Sequence, residues 1–313
     1  MSVECVLCTY NGAEYISEQL DSIGRQTCLP NRLIVCDDAS QDDTVEIVRE
    51  WSRGVPFQVD IYVNDSGLGV IGNFEKALAL TEGEYIFFAD QDDVWMPEKM
   101  ELSLRELRLL EYRYGRETPC LVHTDLTVVD DSLRIIHKSF LENQGLHHIA
   151  DEKKQLSSLM VQNFVTGCTM IINRALREKS LPFPKGIIMH DYWLALVAAM
   201  CGKIGFVGKT TLLYRQHGRN TVGAVKYYSL RNMLRAFRGE DMLSRVDATV
   251  QQLRAAAVYK QGTLARGHDC MKEFLENIDR HEYVKMIFSK ARKQGLLLDL
   301  VFRFYLLIYM IKR

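Results

Sequence analysis

The chain opens on an alternation of short apolar runs and longer amphipathic stretches. Val3 to Leu7 is a largely apolar run of strand length, and Glu14 to Ile23 then carries Ile16, Leu20 and Ile23 at helical spacing. The rhythm repeats: Leu33 to Cys36 reads as a strand, Thr44 to Trp51 as a helix, Gln58 to Val63 as a strand, Asn73 to Leu80 as a helix, and Tyr85 to Ala89 as a fourth strand. Strands alternating with helices in this way predict an α/β fold with a doubly wound, mostly parallel sheet flanked by helices. Further on, Glu98 to Tyr114 predicts a long helix and Cys120 to Asp125 another strand. Residues 139–151 read as an irregular loop, and Met189-His190-Asp191-Tyr192-Trp193 opens a helix through Leu194, Leu196 and Val197.

In doubly wound sheets, ligands sit beyond the carboxyl ends of the strands. Thr9-Tyr10-Asn11, Asp37-Asp38 and Asp90-Gln91-Asp92 all fall at such ends. Carboxylates gathered at a strand end repel one another, so a fold that collects them must supply a cation or solvent. Asp90 and Asp92, two apart, can both reach one hard divalent ion; the alternative is a solvated turn that ends the strand ahead of the helix near Pro97. No Gly-x-Gly-x-x-Gly follows the first strand and no Gly-x-x-x-x-Gly-Lys-Ser/Thr occurs anywhere, so the glycine-rich phosphate cradles are missing. Cys5-x-x-Cys8 has no second pair or histidine partner, which points to core packing rather than metal or redox chemistry.

Composition changes the picture in one respect. A net charge of −1 argues against nucleic acid as a partner. Residues 225–313, however, hold 17 Lys and Arg against nine Asp and Glu, so a basic tail follows an acidic body. No stretch has eighteen uninterrupted apolar residues. The irregular cysteine spacing and the lack of a leader-like start suggest a reducing, cytoplasmic setting.

Taken together and in order, Thr9-Tyr10-Asn11-Gly12, Asp37-Asp38-Ala39-Ser40, Gly72-Asn73-Phe74-Glu75-Lys76-Ala77 and Ala89-Asp90-Gln91-Asp92-Asp93 resemble the signature of family-2 glycosyltransferases with the GT-A fold. The resemblance covers about residues 1–224, which would form the catalytic domain, with 225–313 as a basic helical extension. It implies a nucleoside-diphosphate sugar donor, an inverting transfer and a divalent cofactor, Mn²⁺ or Mg²⁺. It also implies that Thr9 and Asp38 contact the base or ribose, that Tyr10 belongs to the donor-binding set and that Asn73 lines the nucleotide pocket. Asp90 would face the ribose or diphosphate, and Asp92 would ligate the metal.

Inverting transfer needs a carboxylate to take the proton of the acceptor hydroxyl. Family members carry a Glu-Asp or His-Asp pair where this chain has His190-Asp191, which makes Asp191 the expected general base; the plain reading is a helix cap. His123 and Asp125 are open between a sugar contact and strand-end solvation, and Gly167 between a close approach to the donor and a strand bulge. The run Leu212-Leu213-Tyr214-Arg215-Gln216-His217-Gly218-Arg219-Asn220 offers Arg215 and Arg219 to a diphosphate. By the same resemblance, His217 would complete the metal shell or touch the leaving group. This run is similar to a rhamnosyltransferase-like branch. The missing Gln-x-x-Arg-Trp of processive synthases favours single-sugar addition to a lipid-linked or polysaccharide acceptor.

In the tail, Tyr227, Tyr228, Leu230, Met233, Leu234 and Phe237 interleave with Arg231, Arg235 and Arg238, and residues 295–313 are strongly apolar apart from Asp299 and Arg303. Such basic, aromatic-rich helices suit a peripheral seat at the inner face of the cell membrane; a homo-oligomer contact is the alternative. Two other functions share the pattern, a metal-dependent nucleotidyltransferase and a non-catalytic sugar-nucleotide-binding protein.

Overall fold

The computed structural model describes residues 2–218, 239–259, 268–287 and 289–312. Arg219, Asn220, the expected boundary at 224 and the interleaved aromatic and arginine residues of 227–238 lie outside the described residues.

The chain runs β1 (Val3–Thr9), α1 (Ile16–Gly24), β2 (Arg32–Asp37), α2 (Thr44–Ser52), β3 (Gln58–Val63), α3 (Gly69–Ala79), β4 (Tyr85–Asp90), β5 (Val94–Trp95) and α4 (Lys99–Tyr114). It continues through β6 (Cys120–Val129), β7 (Ile135–His137), α5 (Phe140–Gln144), α6 (Glu152–Leu159), β8 (Ile171–Asn173), α7 (Arg174–Ser180), α8 (His190–Cys201) and β9 (Lys203–Arg215). Four helices close it: α9 (Gly239–Val258), α10 (His268–Asp279), α11 (Tyr283–Ile287) and α12 (Leu296–Lys312).

The strands form one sheet in the order β3-β2-β1-β4-β8-β6-β9-β5, with β7 beside β6. β3, β2, β1 and β4 are mutually parallel, and β8 runs antiparallel between β4 and β6. The order turns back at β1, because β2 lies on one side of it and β4 on the other, and this reversal opens a crevice at the carboxyl ends. Register does the rest: Thr9 faces Asp37 on one neighbour and Cys8 faces Asp90 on the other, so the polar clusters share one edge.

Alternation along each strand splits the core into two layers. Val3, Cys5, Leu7, Leu33, Val35, Tyr85 and Phe87 pack against α1, α2 and α4. Val6, Ile34, Ile86 and Phe88 meet α3 and α8 on the other face. Cys5 and Cys8, three apart on β1, therefore point to opposite sides and cannot share a ligand.

The C-terminal helices share the second layer, where Val246, Val250, Leu253, Phe302 and Leu306 are buried with Leu159, Met160 and Trp193. Tyr259 stacks edge-on against Trp193 at 4.8 Å and donates its hydroxyl to the Pro182 carbonyl at 2.8 Å. The two charges that interrupt the apolar run of α12 point inward. Arg303 pairs with Asp299 at 2.8 Å and donates to the carbonyls of Met286 and Ala291. Residues Leu296, Leu300, Phe304 and Ile311 fall within one stripe of the helix and are 76%, 55%, 59% and 70% exposed. No helix among the described residues is long and apolar enough to cross a membrane.

Candidate active site

At the carboxyl edge, loops 9–12 and 37–44 are stitched to each other. Thr9 Oγ1 donates to Asp37 at 2.7 Å, Ser40 N–H donates to the same carboxylate at 2.8 Å, and Asn11 N–H donates to Ser40 Oγ at 2.8 Å. Ala39 is held at φ +64°, a left-handed conformation that costs a side-chain residue energy and persists only where its surroundings fix it. This arrangement turns Asp38 into the crevice. One of its oxygens accepts from Asn64 Nδ2 at 2.8 Å and Leu68 N–H at 2.7 Å, the other from Gly69 N–H at 2.9 Å. Asn73 joins the network through Asn64, at 3.0 Å, and donates to the Cys36 carbonyl at 2.8 Å.

Gln91, unassigned by the sequence reading, ties the ends of β1 and β4 together. It accepts from Tyr10 N–H at 2.8 Å and donates to the Tyr10 carbonyl at 3.0 Å. Gly12 leaves it room, since a Cβ there would lie 2.2 Å from Gln91 Oε1. The Tyr10 ring is left exposed at the mouth of the crevice.

These residues line a cleft of about 1060 Å³ that also includes Asp90, Asp92, His190 and Asp191. Burial raises the Asp90 carboxyl to about 7, and the negative charges of Asp92 and Asp191 add to the shift. Like charges gathered in a desolvated place are what a bound cation would relieve. His217 Nε2 meets Asp92 Oδ2 at 2.8 Å, its ring stacked on Tyr15 at 4.6 Å, so the two residues expected to hold a metal stand together. An oxygen-rich set with one imidazole fits Mn²⁺ or Mg²⁺. A second group, Asp90, Asp93 and Cys168, also brings ligand atoms within 4.8 Å of one another. Burial drives the Asp93 carboxyl and the Cys168 thiol well up, so both favour their protonated forms and suit a hard ion poorly.

Arg215 was expected on the diphosphate. It is instead buried beneath the site and does not line the cleft. It pairs with Glu18, donates to the Asp92 carbonyl at 3.1 Å and to the Asp131 carbonyl, and lies over the Tyr15 ring. A guanidinium is costly to bury unless its donors are satisfied; here they are spent on holding the loop that carries Asp92. His123 and Asp125 also lie away from the cleft. His123 is fully buried against His148, at 3.2 Å, while Asp125 accepts from the Leu126 and Leu141 N–H groups.

Asp191 does not cap its helix. α8 begins one residue earlier, after Met189, and the Asp191 carboxylate reaches back to accept from Gly167 N–H at 3.0 Å and from Tyr192 N–H at 2.6 Å. Burial pushes it up to about 6, and those same N–H groups limit the rise. His190 is stacked on Phe74 at 3.8 Å, burial lowers it to about 3, and neither ring nitrogen has a hydrogen-bond partner among the described residues. Gly167 is a packing requirement rather than a bulge: a Cβ there would lie 2.8 Å from His190 Nε2 and 3.5 Å from the Asp191 Cβ. Gly167→Ala is therefore expected to displace the His190 ring beside Asp191 and lower turnover while nucleotide affinity stays within about twofold, since the donor end is untouched. Parallel kinetics and nucleotide titration check this.

Residues 4–114 match the family model described as glycosyl transferase family 2. The chain is similar to dTDP-rhamnosyl transferase RfbG of Shigella flexneri, 27% identical over 235 residues, covering 70% of this chain and 74% of that protein. It is also similar to UDP-Glc:alpha-D-GlcNAc-diphosphoundecaprenol beta-1,3-glucosyltransferase WfgD of Escherichia coli, 26% identical over 196 residues, covering 62% and 68%. An uncharacterized Mycobacterium tuberculosis protein matches at 25% over 242 residues, covering 77% of this chain, and the match spans 65% of that relative's length.

Among solved structures, Staphylococcus aureus TarS 1–349 in complex with UDP-GlcNAc superposes with a TM-score of 0.56 at 18% identity, covering 96% of this chain and 78% of that one. The mannosyltransferase PcManGT of Pyrobaculum calidifontis, in complex with GDP-Man and Mn²⁺, gives 0.55 at 16% identity, covering 99% and 86%. These likenesses carry the GT-A fold. The match to glycosyl transferase family 2 rests on residues 4–114.

Proposed function

We propose that this chain transfers one sugar from a nucleoside-diphosphate sugar to an acceptor hydroxyl with inversion, the acceptor being lipid-linked or a polysaccharide. The observation that carries the reading is the convergence of Asp90, Asp92 and Asp191 on one cleft at the sheet's topological reversal. Asp38, Asn73, Thr9 and Tyr10 surround the nucleoside end. Rhamnose carried on dTDP is the favoured donor, supported by the likeness to RfbG, with UDP-hexoses as the competing class.

Asp191 takes the proton of the acceptor hydroxyl as that oxygen attacks the anomeric carbon. The bond from that carbon to the diphosphate oxygen breaks, and the electron pair leaves with the nucleoside diphosphate. The Gly167 and Tyr192 N–H groups hold Asp191 in one orientation. Neutral His190 and Phe74 form an apolar floor beside it, which keeps its carboxylate weakly solvated and basic. A divalent ion held by Asp92 and His217, with Asp90 beside it, would supply Lewis-acid stabilisation of the departing diphosphate.

A panel of nucleotide sugars tested for thermal stabilisation with Mn²⁺ and with Mg²⁺ examines the donor side. At least one is expected to raise the melting temperature more with metal than without it; no shift with any would count against the reading.

The outer stripe of α12 supports peripheral membrane binding. Replacing Leu296, Leu300, Phe304 and Ile311 together with Ser should release the protein from sedimenting phosphatidylglycerol vesicles without lowering its melting temperature, because none of the four is buried. Truncating at 295 is a poorer test, since it also removes Phe302, Leu306 and Met310 from the core.

A further inference from the structure

The cleft has two ends of opposite character. Its sheet end is acidic, lined by Asp38, Asp90, Asp92 and Asp191. The wall contributed by the C-terminal helices carries two cations, Arg245 from α9 and Lys293 just ahead of α12, among Met242, Val246, Leu298 and Phe302. Both line the same cleft, and burial together with the positive charge of Arg245 lowers Lys293 to about 8, with Asp299 opposing the fall. Asp299 is already committed. It pairs with Arg303 at 2.8 Å and Arg292 at 3.7 Å, and accepts the Lys293 backbone N–H at 3.0 Å. The Lys293 ammonium lies over the Phe302 ring at 5.1 Å and forms no ion pair with a described residue.

We propose that Arg245 and Lys293 form a subsite for the phosphate or diphosphate of an acceptor carried on a lipid. This rests on the glycosyltransferase reading above and adds the acceptor's chemical class. The donor's diphosphate belongs at the acidic end, where a metal ion would be needed to hold it, so an anion at the basic wall is a second one. Paired cations set in an aliphatic and aromatic lining match an anionic headgroup on an apolar chain better than they match a neutral glycan. The helix beside the subsite carries apolar side chains both toward the cleft and toward the outside. Leu298 and Phe302 face the cleft, and the same helix presents Leu296, Leu300, Phe304 and Ile311 to the outside. The lipid-binding stripe and the cationic subsite therefore sit on one element. The subsite also lies outside residues 4–114, which is consistent with an acceptor-side role added to a donor-binding domain.

The test uses the full chain, decyl diphosphate as probe, and titration calorimetry with the donor site first saturated by nucleoside diphosphate and Mg²⁺. Decyl diphosphate should bind, Lys293→Gln and Arg245→Gln should each weaken it about tenfold or more, as expected for loss of one charge-assisted contact, and Lys293→Arg should restore most of the affinity. Inorganic pyrophosphate should bind far more weakly than decyl diphosphate. Melting curves for each variant confirm that it is folded. Absence of binding to the wild-type chain, unchanged affinity in folded Lys293→Gln, equal binding of pyrophosphate, or displacement by the nucleotide would each overturn the proposal. Retained decyl diphosphate binding with no nucleotide binding would sink the donor reading and leave the subsite standing.

Discussion

Asp191→Asn should lower turnover by about 10²–10⁴-fold, the usual range for removing a general base, while nucleotide binding stays within about twofold. The variant is nearly isosteric, and its amide oxygen can still accept from Gly167 or Tyr192, so the local backbone is kept. What it loses is the capacity to take a proton. The pH dependence follows in sign and place. The base works as a carboxylate, and burial raises its value from 3.8 to about 6. Protonation therefore begins to silence it just below neutrality, and kcat/KM should fall roughly tenfold per pH unit below about 6. An ordinary exposed aspartate would hold its activity two units lower. A profile flat down to pH about 4 would remove Asp191 from the role.

Asp92→Ala should weaken metal-dependent nucleotide binding by more than about 100-fold. Groups that merely orient a metal ligand account for about 10–100-fold, and Asp92 is proposed as the ligand itself. His217→Ala should fall in that lower range, whether the imidazole ligates or holds the Asp92 carboxylate at 2.8 Å. Isothermal titration with and without Mn²⁺ separates the two effects. Metal-independent binding should change little in either variant, because Asp38 and the Tyr10–Gln91 loop remain. Full metal stimulation surviving in Asp92→Ala would place the ion elsewhere, with Asp90, Asp93 and Cys168 the alternative group.

Much of the fold was legible because β1, β2 and β4 are unbroken buried runs whose ends carry the polar clusters, and parallel pairing then brings Thr9, Asp37 and Asp90 to one edge. What escaped was short or non-local. β5 and β8 have two and three residues, too few to show a period; α5 lies within the stretch 139–151 read as an irregular loop, and α6 and α7 lie in stretches left unassigned. Arg215 resembled a phosphate ligand by type, yet its partner Glu18 lies 197 positions away and nothing local announces it. Asp191 resembled a cap because helix starts favour aspartate; only the folded chain shows its carboxylate bonded to Gly167. Arg245 and Lys293 could not be placed from sequence, since the helices that return them to the cleft are set by burial of Val246, Phe302 and Leu306. Asp299 and Arg303 show the same limit. They read as interruptions of an apolar segment, whereas their inward pairing leaves the opposite stripe apolar and exposed.

Phosphorus NMR of the chain incubated with a panel of nucleotide sugars and Mg²⁺ examines the central assignment most directly, because water can replace the acceptor in a slow reaction. Release of nucleoside diphosphate from at least one donor, lost in Asp191→Asn, is the expected result. Pyrophosphate or nucleoside monophosphate as the product, or undiminished release in Asp191→Asn, would contradict it.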